Sequence, residues 1–375
     1  MTRSTLSIPF FSAVTVNAGA NLSAAVQQVL DSHWYVLGQQ VQGFETEFAR
    51  YIGVKHCVSV ANGTDALELA LRAAGVVSGD QVITVANAGF YSSTAIYALG
   101  AVPLYADIDE VALTLSPAAL EQALVSRPAA VVVTHLYGHM ANMPALTALC
   151  QRAGVPLIED CAQSHGAVLA GRQAGSWGQL ACFSFYPTKN LGAMGDGGAV
   201  TTDDAALAAR LYTLRQYGWT EKYKVSTPGG RNSRLDEIQA AILRAKLPLL
   251  NIHNTQRRRI AARYNSAFTA LPLQCPPSVG DDYVAHLYVL RTPQRDALRA
   301  FLLAQGIATD VHYPIADHQQ PAYPDVRLAC VLDVTQAACA SVLSLPCYPG
   351  LTDANVDRVI QAVREFLTQG KGAAC

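Results

Sequence analysis

Between residues 55 and 200, short apolar runs alternate with stretches of helical periodicity. Cys57-Val58-Ser59-Val60 predicts a strand, Asn62-Gly63-Thr64-Asp65 a turn, and Ala66-Leu67-Glu68-Leu69-Ala70-Leu71-Arg72 a helix. Further strands are predicted at 80–85, 102–107, 130–136 and 156–160. Their apolar character is continuous rather than alternating, as expected of strands covered by helices on both faces. The expected class is therefore α/β, with a large, mostly parallel sheet. Ligands in such sheets bind beyond the carboxyl ends of the strands, and Gly63-Thr64, His135 and Asp160 all fall there.

The pattern changes in the second half. Residues 236–265 predict a long helix interrupted near Pro248. Residues 283–290 alternate like a half-buried strand, Arg295 to Gln305 predicts a helix closed by Gly306, and 352–368 an amphipathic terminal helix. The expected organisation is a large domain over 31–249, a smaller C-terminal α/β domain over 250–375, and an N-terminal segment, 1–30, packing with the smaller one.

Composition narrows the function classes. Of 375 residues, 51% are hydrophobic and 15% charged, enough to bury a large core and too apolar for disorder. The formal net charge of −1 gives no global field for nucleic acid or a membrane surface. No apolar run reaches membrane-spanning length, and residues 1–11 lack the apolar core of a signal peptide, so a cytoplasmic protein is expected. The nine cysteines are scattered without a Cys-x-x-Cys pair and read as reduced core thiols. No metal is expected, because no His-Glu-x-x-His spacing occurs.

The chemistry concentrates in two segments. Asp160 ends an apolar strand in Ile158-Glu159-Asp160-Cys161-Ala162-Gln163-Ser164-His165-Gly166. Lys189 lies in Phe183-Ser184-Phe185-Tyr186-Pro187-Thr188-Lys189-Asn190-Leu191-Gly192, with a glycine-rich turn behind it. A lysine in that setting can condense with an aldehyde, and a carboxylate can hold a pyridinium proton. Together they are what pyridoxal 5'-phosphate requires. Gly63 and Thr64, at a strand-to-helix turn, suit its phosphate, with Ser184 adding a hydroxyl. Gln163 is placed to reach the phenolic oxygen, and Phe90 to stack on the ring.

These stretches resemble the DegT/DnrJ/EryC1/StrS family of pyridoxal-phosphate-dependent sugar aminotransferases. Asn62-Gly63-Thr64-Asp65-Ala66-Leu67, Glu159 to Gly166, Phe183 to Asn190, Gly195-Asp196-Gly197-Gly198-Ala199 and Asn232-Ser233-Arg234-Leu235-Asp236-Glu237-Ile238-Gln239-Ala240 carry the likeness. The resemblance implies an aspartate aminotransferase-like (fold type I) architecture and a homodimer with active sites shared across the interface. By position it gives Lys189 the covalent role, and Asp160 the ring nitrogen. Gln163 takes the phenolic oxygen and Phe90 the ring face. Gly63, Thr64 and Ser184 take the phosphate, and Asn232 is contributed by the partner subunit. Glutamate is the implied donor, and pyridoxamine phosphate the form between half-reactions. A lysine at 189, where the family's dehydratases carry histidine, favours transamination.

Gly306 to Tyr323 resembles the branch acting on dTDP-3-keto-6-deoxyhexoses, whose usual run is His-Tyr-Pro-Ile-Pro-Pro-His. Here Ala316 and Asp317 replace the two later prolines. Tyr186, Arg231, His312 and Tyr313 are the expected substrate contacts. The expected product is a dTDP-3-amino-3,6-dideoxyhexose for O-antigen, S-layer glycan or antibiotic sugars. The alternatives are the same chemistry at C-4 of a UDP- or GDP-sugar, a pyridoxal-phosphate-dependent sugar dehydratase, and a non-catalytic binding protein of this fold.

Overall fold

The computed structural model describes residues 7–369. Its centre is an eight-stranded sheet. From one edge the order is His56–Val60, Gly198–Thr202, Leu180–Ser184, Leu157–Asp160, Ala130–Thr134, Gln81–Thr84, Val102–Tyr105 and Arg327–Leu328. All neighbouring pairs are parallel except the two made by Gly198–Thr202, which runs antiparallel to both neighbours. Successive residues of the central strands enter different cores. Ile83, Val131, Val133 and Phe183 belong to one, while Val82, Ala130, Val132 and Ile158 belong to the other. That division is the physical meaning of the continuous apolar runs: both faces are covered.

The helix Gly63–Ala73 caps with the Asn62 side chain, which accepts from the Asp65 N–H at 2.8 Å. Its buried face, including Leu67, Leu69 and Leu71, closes one side of the sheet. The predicted interruption near Pro248 is real: a helix over Glu237–Lys246 passes through a single 3₁₀ turn, Leu247–Leu249, into Leu250–Phe268. A separate antiparallel pair, Tyr288–Arg291 with Val342–Leu345, lies among the helices Leu250–Phe268, Arg295–Ala304 and Asp353–Gln369.

Residues 283–287 are not strand; the ladder starts only at Tyr288. Their backbone is spent elsewhere. Val284 donates to the Gly138 carbonyl at 3.0 Å, and Arg257 Nη1 takes the carbonyls of Ala285 and His286 at 3.3 and 3.2 Å. Near the N-terminus, Ile8 bridges to Ile307, while Ala25 and Val29 of Leu22–Ser32 bury against Ala241. Arg327–Leu328, from the C-terminal third, joins the edge of the large sheet. Eight described cysteines are free thiols, six of them buried. Among the described residues, no helix is long and apolar enough to cross a membrane.

Candidate active site

His56–Val60 and Leu180–Ser184 each run antiparallel to the strand between them, so Val60 and Ser184 end on the same side of the sheet. Gly63 follows Val60 closely, and a Cβ built on it would come 2.6 Å from the Ser184 Cβ. Only glycine allows this approach. Gly63, Thr64 and Ser184 then line one end of a cavity of about 950 Å³. The unpaired N–H groups of a helix N-terminus favour an anion at such a place.

Asp160 ends its strand inside the same cavity and is buried. Its Oδ1 accepts from the Ala162 N–H at 3.1 Å and its Oδ2 from Thr134 Oγ1 at 3.3 Å. Burial raises its pKa, against the Ala162 N–H and the Lys189 charge. A ring N–H⁺ would relieve that burial cost by supplying a cation. Lys189 also lines the cavity, and burial draws its amine down to about 8, with Asp160 opposing the shift. The neighbouring Asn190 fixes the backbone. Its amide donates to Asn254 Oδ1 at 2.8 Å and the Val284 carbonyl at 3.0 Å, and its oxygen receives His286 Nδ1 at 3.1 Å.

His135, Glu159 and Cys161 bring three potential metal-binding atoms within 4.8 Å of one another. Glu159 is already saturated. It accepts from His135 Nε2 at 2.9 Å and from the N–H groups of Gly175, Trp177 and Gly178 at 3.0, 2.7 and 2.8 Å. His135 Nδ1 accepts from the Ala141 N–H, so both ring nitrogens are engaged. The cluster is a hydrogen-bonded support beneath Asp160.

Gln163 Oε1 accepts from the Tyr137 N–H at 2.6 Å, and Nε2 donates to the Tyr313 hydroxyl at 3.1 Å. Its amide keeps a second N–H for a ligand oxygen. Tyr186, His312 and Tyr313 also line the cavity. His312 is held by Ser344 Oγ at 2.8 Å, and its carbonyl accepts from the Tyr137 hydroxyl.

Phe90 departs from the sequence expectation. It sits at a left-handed φ of 71°, its N–H turned to Asp317 Oδ1 at 2.9 Å. Its ring packs against Tyr97 and Tyr323, with centroids 6.1 and 5.1 Å away. The cavity wall here is made by Ala88, Tyr91 and Tyr313. Arg231 and Asn232 also lie apart from the lining residues. Arg231 Nε binds Glu68 Oε1 at 2.8 Å, and Asn232 bridges to Gln216. Tyr91 and His286, neither singled out by a motif, also line the cavity. Tyr91 directly follows the residue chosen, so the right segment was legible but not which aromatic turns inward.

The residues fit pyridoxal phosphate. A buried amine of lowered pKa and a buried carboxylate of raised pKa share one cavity with Gly63, Thr64 and Ser184, where only glycine lets the helix N-terminus come so close to Ser184.

The model of the DegT/DnrJ/EryC1/StrS aminotransferase family matches residues 17–364. The dTDP-3-amino-3,4,6-trideoxy-alpha-D-glucose transaminase of Streptomyces venezuelae is 45% identical, over 92% of each chain. The dTDP-3-amino-3,6-dideoxy-alpha-D-galactopyranose transaminase of Aneurinibacillus thermoaerophilus is 42% identical, over 96% of this chain and 99% of its own. Among solved structures, S. venezuelae DesV in complex with a ketimine intermediate superposes with a TM-score of 0.92 at 44% identity, covering 96% of this chain and 98% of its own. Spanning nearly the full length of such relatives and keeping the lysine and aspartate in one cavity, this chain belongs to the DegT/DnrJ/EryC1/StrS aminotransferase family.

Proposed function

We propose that the protein transfers an amino group from glutamate to C-3 of a dTDP-3-keto-6-deoxyhexose, giving a dTDP-3-amino-3,6-dideoxyhexose and 2-oxoglutarate. The observation that carries this reading is Lys189 and Asp160 facing one cavity beside the Gly63–Ser184 cradle, in a chain so similar to two transaminases named for dTDP-3-amino sugars. When bound, the cofactor supplies an aldehyde for amine exchange and a ring that accepts electrons. Lys189 anchors it and, once released, moves the proton on and off the donor's α-carbon, for which a neutral amine is needed. Asp160 keeps the ring nitrogen protonated, Gln163 gives its spare N–H to the phenolic oxygen, and Gly63, Thr64 and Ser184 hold the phosphate.

Tyr186, His312 and Tyr313 face the sugar. Arg231 and Asn232 lie outside the cavity of their own subunit and serve the cavity of a second copy, so the working form is a homodimer. The enzyme acts in the cytoplasm, and its product enters O-antigen or other glycan assembly.

The test is a half-reaction. The holoenzyme mixed with glutamate and no sugar should lose its visible absorbance while forming one 2-oxoglutarate per site, and a 3-keto dTDP-sugar should restore the absorbance. A holoenzyme that forms no 2-oxoglutarate is not a glutamate-dependent transaminase. A Lys189→Ala variant with normal turnover would remove the assigned role of the lysine.

A further inference from the structure

Asp317 is one of the two positions where this chain leaves the run it otherwise resembles. It is 1% exposed, and each carboxylate oxygen accepts a hydrogen bond. Oδ1 accepts from the Phe90 N–H at 2.9 Å, and Oδ2 from Ser93 Oγ at 2.6 Å, which itself receives the Tyr105 hydroxyl at 3.0 Å. Its backbone N–H donates to the Ala86 carbonyl at 2.7 Å. One residue thus grips both ends of the loop 86–90 and the first turn of the helix Tyr91–Ala98. Phe90, the N-cap residue of that helix, makes no side-chain cap. The Asp317 carboxylate instead takes the N–H of this N-cap residue, from the far end of the sequence and beside the positive end of the helix.

Tyr313 lies four residues before this anchor. Its ring sits on Gly89, where a Cβ would come 2.8 Å from Cε1 and Cζ, and its hydroxyl accepts from Gln163. On the other side the segment is held to the small sheet by paired backbone hydrogen bonds between Asp310 and Ser344. The Asp317 grip also turns Phe90 out of the cavity and leaves the space above Gly89 to Tyr313. Burial pushes the Asp317 carboxyl up to about 7, against the bonds from Ser93 and Phe90. A carboxylate kept there at such a cost is explained by what it holds.

We propose that Asp317 is a positioning residue for sugar recognition: by tying residues 313–317 to the loop 86–90, it seats the Tyr313 ring against Gly89 as the wall that the keto sugar meets. The inference rests on the proposed sugar-binding role of Tyr313.

The test compares Asp317→Ala and Asp317→Asn holoenzymes. Asn can still accept from the Phe90 N–H and hydrogen-bond Ser93. The alanine variant should raise the KM for the keto sugar about tenfold or more, with kcat changed less than about threefold, while the asparagine variant stays within about threefold of the parent. The glutamate half-reaction and the visible spectrum should be unchanged in both. An alanine variant with parental KM overturns the proposal. So does one that loses the glutamate half-reaction and the sugar reaction in parallel, since that marks a general structural role. Crystal structures of the two holoenzymes read the same point without any substrate: Tyr313 should leave Gly89 and Gln163 in the alanine variant only. A Tyr313 that stays in place overturns the positioning claim. If Tyr313 is displaced in the alanine variant while the parent enzyme does not aminate the sugar, the positioning stands and the function proposed above is overturned.

Discussion

Lys189 shows how burial makes a common residue reactive. An exposed lysine is protonated at neutral pH and cannot attack an aldehyde. Here desolvation brings the amine down to about 8, with the Asp160 charge limiting the shift. The sign follows. The neutral amine grows as pH rises through about 8, so the rate at which cofactor-free protein captures pyridoxal phosphate should climb over that range and level off above it. Stopped-flow absorbance at a series of pH values measures this directly. A rate still climbing steeply toward 10 would mean that the amine keeps its ordinary pKa. Lys189 and Asp160 were legible because their chemistry is rare in combination. Phe90 is not legible in this way: it sits at a left-handed φ of 71° with its N–H on Asp317, distant in sequence.

At the scale of elements, the site is built from close approaches that only glycine allows. Gly63 touches Ser184, and at Gly198 a Cβ would collide with the Asn62 carbonyl. Gly63→Ala should therefore force the helix Gly63–Ala73 and the strand Leu180–Ser184 apart. We expect a loss of about 1–3 kcal/mol in stability and weaker cofactor binding. Denaturant unfolding of the cofactor-free protein and a pyridoxal phosphate titration check the two effects. Unchanged affinity would mean that the phosphate lies elsewhere. The strands at 81–84, 102–105, 130–134 and 157–160 were plain from their apolar runs, because burial on both faces leaves a strong pattern. Residues 283–287 have the pattern of a strand but make only one isolated bridge, Tyr283 with His139. Their carbonyls and N–H groups are taken by Arg257 and Gly138, partners that no local pattern reveals.

At the scale of the molecule, the sheet carries Asp160 and Ser184 to the carboxyl ends of two neighbouring interior strands, and the C-terminal residues close over them with His312 and Tyr313. Arg231 and Asn232 remain outside this enclosure, which gives the proposed dimer a sharp test. Lys189→Ala and Asn232→Ala homodimers should both be impaired. Dissociated and reassembled together, they should regain activity, because one site of each mixed dimer then has both residues intact. A mixture no more active than its components would place Asn232 in its own subunit's chemistry or outside the site. Pairing across subunits is not readable from hydrophobic periodicity, since an interface patch and a core face look alike along one chain.

The most direct measurement is the amino-transfer reaction itself, with glutamate as donor and dTDP-3-keto-6-deoxyhexoses set against 4-keto UDP- and GDP-sugars, products identified by mass spectrometry and NMR. The proposed function predicts nitrogen at C-3 of a dTDP-sugar, with 2-oxoglutarate formed in equal amount. Amination only at C-4 of a UDP- or GDP-sugar, or sugar deoxygenation with no net amino transfer, would contradict it.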